Sequence, residues 1–340
     1  MNRVRWGSLK AAVALWLLWP APPVGGQEPP AAGPVPADVA EWRPRSFAEV
    51  VGESLLDPLR PEAWRPLGIG SLLTEGWDEP YAPAPGDAPR QTWVGSADGA
   101  FYRLYVASYS FAPIPGGGTA YNGTAILFSP LSRRFELGWF VPFVTSAPDA
   151  ARPAGGPNWT DFGDLTIAPR ILLAEDRRYT VTSNLFVRLP TGDGRNGNGA
   201  ASLSPDVEFW ANPFERWVVR GGAGVTVPTN YTPASSALQR SNPWTGFNAS
   251  PSSFTTFDAR LAVGHYLTSG DARFFKSFVY YAAANLHTEL SGGDATYLSI
   301  TPGFRFGVGG DWYFLGGLEV PLVGGMPFDT QTTFQLIKNF

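Results

Sequence analysis

The sequence contains no cysteine, and this absence excludes several kinds of chemistry. Disulfides, lipid attachment to cysteine, thiolate metal sites and cysteine nucleophiles are all ruled out. Histidine is also scarce, since only His265 and His287 occur. A histidine-based catalytic pair therefore has few candidates, and we expect no cofactor, no metal and no catalytic residue.

Charged residues are few as well, at 16% of the chain, whereas glycine (39), proline (33) and aromatic residues (14%) are plentiful. This composition is typical of an exported β-rich protein and unlike that of a helical enzyme. Residues 1–26 hold three basic residues and no acid, so the remainder has 22 basic and 29 acidic residues, a net charge of about −7. That balance gives no support to nucleic-acid binding.

No long apolar run follows the amino terminus, so we expect no transmembrane helix. Residues 1–26 have the parts of a signal peptide: a basic start, an apolar run at 11–19 that is too short to span a bilayer, and Val24-Gly25-Gly26 for cleavage. The sequence thus predicts export. If the protein lies in a membrane, it must be a closed barrel, because lipid cannot satisfy the hydrogen bonds of open sheet edges.

Residues 27–98 are irregular and rich in proline, and we interpret them as a periplasmic extension or a plug. The part up to about residue 45 has the composition of a disordered spacer. Residues 46–56 resemble a short helix with a serine N-cap and a glutamate three positions later. The aromatic stretch 64–93 fits either an extended periplasmic arm or a plug in the lumen.

From residue 99 onward, apolar residues recur at every second position, which predicts β-strands. The connections alternate between short turns and longer loops rich in Gly, Asn, Ser and Pro, as in outer-membrane barrels. The sequence therefore predicts an all-β fold, a single antiparallel up-and-down transmembrane β-barrel over residues 99–340. The twelve expected strands are 100–111, 119–129, 135–144, 163–173, 179–189, 201–211, 217–227, 255–267, 276–287, 296–307, 312–320 and 330–340.

Three of these strands contain a proline within an apolar-small-proline step, at Pro169, Pro205 and Pro302. Proline removes a donor from the ladder and usually marks a bulge or an edge strand. Since a closed barrel has no edge, we expect bulges at these three positions.

Charged side chains share one face of the predicted strands, and apolar side chains share the other. A charge that faces lipid at the midplane costs about 2–4 kcal/mol, so the charged face must be the lumen. Enclosed charges need partners, and we expect cross-strand pairs that hold the barrel closed or line a solute path. The predicted lumen-lining residues are Arg103, Glu136, Asp164, Arg170, Arg188, Asp206, Glu208, Arg220, Asp258, Arg260, Arg305 and Glu319.

The last strand has a mostly apolar face that contains Phe334, Leu336 and Phe340. Bacterial outer-membrane barrels commonly end in this way, and their assembly machinery reads such a strand. We therefore expect these three residues to act as the assembly signal, with lipid and the assembly machinery as partners. Lys338 lies on the same face and departs from the usual apolar residue.

The segment Val187-Arg188-Leu189-Pro190-Thr191-Gly192-Asp193, followed by Leu203-Ser204-Pro205, resembles outer-membrane transporters associated with the meta-pathway of phenol degradation. The resemblance extends in architecture over about residues 100–340. It implies a porin-like barrel that passes a small solute of hydrophobic or aromatic character.

Two other functions remain open at this point. One is a non-transporting structural or adhesive envelope barrel, whose lumen is sealed by ion pairs and the N-terminal segment. The other is an outer-membrane lipid enzyme, which is disfavoured because neither histidine has a serine two positions later in its strand. An even number of strands would place both termini on one side, and the short turns there indicate the periplasm.

Overall fold

The computed structural model describes residues 88–113, 118–131, 134–148, 158–176, 178–192, 199, 201–230, 255–291, 296–324 and 328–339. The predicted signal peptide, residues 27–87 with the predicted helix at 46–56, and Phe340 lie outside the described residues. Within the described residues, no helix has the length and apolar character to cross a bilayer. The strands are β1 Leu104–Pro113, β2 Thr119–Pro130, β3 Phe135–Pro148, β4 Asn158–Asp161, β5 Thr166–Asp176, β6 Tyr179–Arg188, β7 Ser202–Phe214, β8 Trp217–Pro228, β9 Thr256–Tyr266, β10 Lys276–Glu289, β11 Thr296–Gly309, β12 Trp312–Val323 and β13 Gln331–Asn339.

The sheet closes on itself, because its first and last strands pair with each other. β1 runs antiparallel to β13, from Leu104 opposite Asn339 to Phe111 opposite Thr332. β4 and β5 both pair with β3 and so share one position in the barrel. The thirteen strands therefore form a twelve-stranded antiparallel barrel, and the predicted fold class is confirmed. Closure gives every strand except the short β4 two neighbours, which leaves few unpaired edges.

The two ends of the barrel differ in the length of their connections. The end that holds Leu104 and Asn339, called the short-turn end below, has the connections 131–134, 177–178, 215–216, 267–275 and 310–311. The opposite end, called the long-loop end, has connections that include 189–201 and 229–255. The alternation of short and long connections expected from the sequence is present.

The expected bulges at the three strand prolines are absent, so this prediction was wrong. Each proline pairs in register with the preceding strand, opposite Leu137, Leu185 and Ala282 respectively. Towards the following strand, the ladder skips the proline and the residue before it, then resumes in the same register. A proline lacks only its N–H group. The loss is therefore confined to one side of the strand, and the flanking pairs keep the register.

The outer face of the barrel is apolar and exposed, as at Val141, Leu261 and Phe334. The inner face is not polar throughout, which corrects the expectation of a strictly polar lumen. Five inner side chains on β1, β2 and β3 are aliphatic or aromatic and no more than 2% exposed: Leu104, Val106, Ile126, Phe128 and Phe140. They pack into one cluster with residues that precede β1. Because these side chains contact one another rather than water, the lumen can hold them without cost.

Candidate functional site in the barrel lumen

Residues 88–103, called the lumen segment below, precede β1, and all of them except Arg103 lie inside the barrel. The segment starts near the short-turn end, where the Ala88 amide donates to Asn212 Oδ1 at 3.1 Å. It turns at residues 94–96 and returns to Leu104, the first residue of β1. Thr92 and Ala100 are 0% exposed and Trp93 is 1% exposed. The sequence was compatible with two positions for this stretch, a periplasmic arm or a plug in the lumen. The contacts place residues 88–98 in the lumen.

Four arginines of the wall donate hydrogen bonds to backbone carbonyls of the lumen segment. A chain without regular structure cannot pair its own backbone groups, so its carbonyls need other donors. A guanidinium offers five N–H donors in a fixed planar arrangement and can serve several acceptors at once. The bonds run from Arg170 to Asp98 O and Ala100 O (3.0 Å), from Arg220 to Gln91 O (2.6 Å), from Arg260 to Ser96 O (3.4 Å) and from Arg305 to Thr92 O (3.2 Å).

Arg170 is the centre of the largest charged network. It forms an ion pair with Glu136, donates to Asn184 Oδ1 at 2.9 Å, and lies 3.8 Å from Glu208. The second oxygen of Glu136 accepts from the Tyr102 amide at 2.7 Å. Glu136 is 0% and Arg170 1% exposed, so both charges are fully enclosed. The network therefore joins β3, β5, β6 and β7 to the lumen segment.

Arg220 pairs with an acidic residue that belongs to the lumen segment itself. Its guanidinium pairs with the Asp98 carboxylate and donates to the Tyr102 hydroxyl at 3.1 Å. The same guanidinium lies over the ring of Trp93, 5.1 Å from the ring centroid. Arg220 therefore contacts a carboxylate and an aromatic ring of one segment.

Two close approaches depend on glycine. A Cβ at Gly264 of β9 would lie 2.5 Å from the ring of Trp93, and a Cβ at Gly99 would overlap the backbone of Phe209. A side chain at either position would prevent the lumen segment from lying against the wall. These two glycines set how deeply the segment packs.

Asp164 and Arg188 form a separate pair at the long-loop end. Arg188 donates to Asp164 Oδ2 through Nε at 2.9 Å and through Nη2 at 2.6 Å. The other carboxylate oxygen accepts from the amides of Gly192 and Gly199, both at 2.8 Å. Thr191 Oγ1 accepts from the Leu165 amide at 2.8 Å. The motif that carried the family resemblance thus anchors loop 189–201 to the chain before β5.

The remaining predicted lumen residues fall into smaller groups. Asp206 Oδ1 accepts from Asn184 at 2.6 Å, Asp258 lies 2.7 Å from His287 Nδ1, and Glu319 accepts from Ser299 at 2.6 Å. Arg103 is different, because it is exposed and precedes β1. The prediction that Arg103 is one of the enclosed charges was wrong. Buried and exposed residues alternate along β1, starting with the buried Leu104, so the preceding position falls on the exposed face.

Several important residues were missed by the sequence reasoning. Trp93, Asp98 and Tyr281 lie at the contact between segment and wall, and Arg90 pairs with Glu175 near the short-turn end. The lumen segment has no strand period from which a facing side could be read. A signal was nevertheless present, because Asp98 is the only charged residue between 91 and 102. A single acid in an apolar stretch needs a cationic partner if it is enclosed.

The end of the chain matches part of the expectation. Phe334 and Leu336 are each 40% exposed on the outer face of β13, where lipid would cover them. Lys338 is explained by its position at the short-turn end. Its ammonium donates to the Gly310 carbonyl at 2.7 Å and lies 3.8 Å from Asp311 in the β11–β12 turn. A lysine on an apolar face can reach such a polar group with its flexible stem. The assembly role of this strand stays a prediction.

The part of the chain that the structure describes has no group of three or more His, Asp or Glu side chains arranged to hold a metal ion. Of the two histidines, His287 is buried against Asp258 and stacks on Tyr297, with ring centroids 4.6 Å apart. His265 lies on the other face between Trp217 and Tyr280. The two imidazoles are therefore on opposite faces of the wall.

Comparison with known proteins gives matches to outer-membrane barrels. The structure is similar to an outer membrane channel from Pseudomonas putida F1, with a TM-score of 0.53 at 10% identity over 76% of this chain and 99% of that chain. The NanC porin gives a TM-score of 0.46 at 8% identity over 69% of this chain and 99% of that chain. No curated protein matches the sequence. A family model described as "Putative MetA-pathway of phenol degradation" matches residues 118–336. Because this match covers more than half of the chain, the protein belongs to that family.

Proposed function

We propose that the protein is an outer-membrane channel that passes a small hydrophobic or aromatic solute through its lumen. Membership of a family named for phenol degradation supports an aromatic solute. The proposed orientation has both termini in the periplasm and the long loops outside, since outer-membrane barrels have short periplasmic turns. We propose no enzymatic activity, because each histidine lies in a different environment and the similar structure from Pseudomonas putida F1 is a channel.

The observation that carries this proposal is the apolar strip on the inner wall. A barrel that passes hydrophilic solutes has a polar interior. Here, inner side chains of six strands are buried and apolar, and several are aromatic: Leu104, Val106, Ile126, Phe128, Phe140, Phe186, Leu315 and Ile337. The charged groups adjoin this strip, since the Arg170 guanidinium lies over the ring of Phe128, 5.0 Å from the ring centroid. A solute with an apolar body would contact the strip and keep a polar group near these charges.

Passage along this strip requires the lumen segment to move. Tyr102 and Ala100 belong to the same buried cluster as Phe128 and Phe140, so the segment covers the strip. The rings of Tyr102 and Phe128 are 6.0 Å apart. The same contacts favour the alternative function, a structural or adhesive barrel with a permanently sealed lumen. The two functions differ in whether the segment leaves the strip.

A disulfide between the lumen segment and the wall tests this difference. A Cβ built on Gly222 of β8 lies 3.2 Å from the Cβ of Ala97, close to the roughly 3.5–4.5 Å found in disulfides. The chain has no cysteine, so the double variant Ala97→Cys/Gly222→Cys has a single possible pairing within one molecule. We would measure uptake of labelled phenol into vesicles with a lipopolysaccharide outer leaflet, before and after reduction. The two single-cysteine variants are the controls for the oxidant.

A channel predicts that the oxidised variant takes up phenol no faster than empty vesicles, and that reduction restores uptake to the wild-type rate. Equal uptake in both redox states, above that of empty vesicles, would mean that phenol does not pass where the segment lies. No uptake in either state, and none in the wild type, would favour the sealed barrel.

The orientation is tested with two other cysteine variants. Leu290, in the loop after β10, is 57% exposed at the long-loop end, and Glu215 is exposed at the short-turn end. A membrane-impermeant maleimide should label Leu290→Cys in intact cells and Glu215→Cys only after the outer membrane is permeabilised. The reverse pattern would contradict the proposed orientation.

A further inference from the structure

The wall of the barrel contains a slot that holds an aromatic ring. Trp93 occupies it, stacked on Tyr281 with ring centroids 4.7 Å apart and planes 6° apart. The Arg220 guanidinium lies over the ring of Trp93 at 5.1 Å. Gly264 forms the floor, since a Cβ there would lie 2.5 Å from the ring. The slot therefore offers an aromatic face, a cation and a gap the thickness of one ring.

The aromatic side of the slot is held by the wall at Gly303 and, in this structure, also by the lumen segment. A Cβ at Gly303 would lie 2.5 Å from the Tyr281 hydroxyl, so the ring of Tyr281 packs directly against the β11 backbone. That hydroxyl accepts a hydrogen bond from the Val94 amide at 2.7 Å. Tyr281 is 2% exposed. The stacking surface belongs to the wall, whereas the ring on it belongs to the lumen segment.

A carboxylate binds to the same guanidinium at its edge. Asp98 pairs with Arg220 Nη2, while Nη1 donates to the Gln91 carbonyl at 2.6 Å. Both the ring and the carboxylate that Arg220 contacts come from the lumen segment. A desolvated cation attracts the aromatic face beneath it, and an ion pair adds orientation.

From this arrangement we infer that the slot is a solute-binding site for an aromatic ring joined to a carboxylate by a short flexible spacer, and that Trp93 and Asp98 occupy it in place of the solute. The spacer is needed because the ring lies beneath the guanidinium while the carboxylate lies at its edge. The inference rests on the proposed channel function and names the class of solute for it. Binding of such a solute displaces the lumen segment from Arg220 and Tyr281, and so couples recognition to the movement that passage requires.

Competition between solute and segment has a measurable consequence. The apparent affinity of a ligand falls in proportion to the fraction of protein whose site is free. In this structure Trp93 is 1% exposed, so the slot is filled. If the slot is free in less than a tenth of the molecules, a variant that vacates it should bind about tenfold or more tightly.

The test uses the full chain in detergent, 3-phenylpropionate as the probe and calorimetric titration as the readout. The vacated variant is Trp93→Ala/Asp98→Asn. We expect it to bind the probe about tenfold or more tightly than the wild type, and not to bind 3-phenylpropan-1-ol, which has the same ring and spacer but no charge. Adding Arg220→Gln to the vacated variant should abolish binding of the probe. Adding Arg273→Gln, which alters an exposed arginine in the connection 267–275, should leave binding unchanged.

A vacated variant that binds no better than the wild type would overturn the inference, as would undiminished binding after Arg220→Gln. If Arg220→Gln fails to fold, Gly264→Ala in the vacated background replaces it, because its Cβ enters the slot where the ring would lie. That variant should bind the probe at least tenfold more weakly than the vacated variant, and equal binding would refute the site. Phenol uptake that depends on the segment, together with no binding of the probe, would leave the channel proposal in place and remove this one. Binding of the probe without any phenol uptake would keep the binding site and remove the channel proposal.

Discussion

Replacing Arg170 with methionine removes the guanidinium that joins the wall to the lumen segment. The change leaves Glu136 enclosed, with the Tyr102 amide at 2.7 Å as its remaining hydrogen-bond donor. It also leaves the carbonyls of Asp98 and Ala100 without the donor they have in the wild type. Methionine has a similar length and no charge, so the variant tests the charge and its hydrogen bonds more than the packing.

The expected cost is about 4 kcal/mol of unfolding free energy. Breaking a buried ion pair by removing one partner typically costs about 3–5 kcal/mol, because an uncompensated charge remains. The retained bond from Tyr102 lowers this cost, and the two carbonyls that lose their donor raise it. The double variant Arg170→Met/Glu136→Leu has no uncompensated charge at Glu136, and replacing a whole buried pair is often neutral. We therefore expect it to recover about 2 kcal/mol relative to Arg170→Met, since the carbonyls of Asp98 and Ala100 and the amide of Tyr102 still lack their partners.

The assay is equilibrium urea unfolding of the barrel in lipid vesicles, followed by tryptophan fluorescence. Wild type, both single variants and the double variant form a thermodynamic cycle whose coupling energy isolates the pair. A cost below about 1 kcal/mol for Arg170→Met would refute the reasoning. Additive effects in the double variant would show that the two side chains stabilise the barrel independently.

Three further predictions concern the segment, the loop anchor and the last strand. Gly99→Ala should displace the lumen segment and so open the lumen without unfolding the barrel, because the new Cβ would overlap the Phe209 backbone. Planar-bilayer conductance should rise above that of the wild type, and an unchanged conductance would contradict the close approach. Asp164→Ala removes the acceptor of Arg188 and of two loop amides. It should lower the free energy of unfolding in urea by about 3–5 kcal/mol and speed proteolysis of loop 189–201. Proteolysis at the wild-type rate would contradict this role. Lys338→Ala should change unfolding free energy by less than about 1 kcal/mol, since exposed ion pairs contribute little, and a larger loss would mean that the turn depends on this contact.

The strands could be predicted because a membrane barrel imposes two constraints on the same residues. One face of each strand meets lipid, where a charge is costly, and successive side chains alternate between the faces. Predicted strands such as 179–189 and 217–227 therefore differ from the observed Tyr179–Arg188 and Trp217–Pro228 by one residue at a boundary. The prolines were misjudged because a missing donor affects one side of a strand, whereas a bulge would have shifted the register of both.

The charged residues could be assigned to the lumen, but their partners could not. Sequence separation gives no guide to which groups meet across a barrel. Arg170 pairs with Glu136 on an adjacent strand, whereas Arg220 pairs with Asp98, 122 positions away in a segment without regular structure. The apolar inner strip was missed for the same reason. Nothing in the alternation of β1 and β2 reveals that a segment inside the barrel covers their inner side chains.

The sequence by itself determined that the chain forms a closed barrel, and it determined which face of most strands carries charge, because lipid excludes charged groups and unpaired strand edges. Only the tertiary structure decided what occupies the lumen. The path of residues 88–103, the ring slot at Tyr281 and the pairing of Asp98 with Arg220 depend on contacts between distant parts of the chain. Such contacts follow from the closure and diameter of the barrel, which no local period in the sequence encodes.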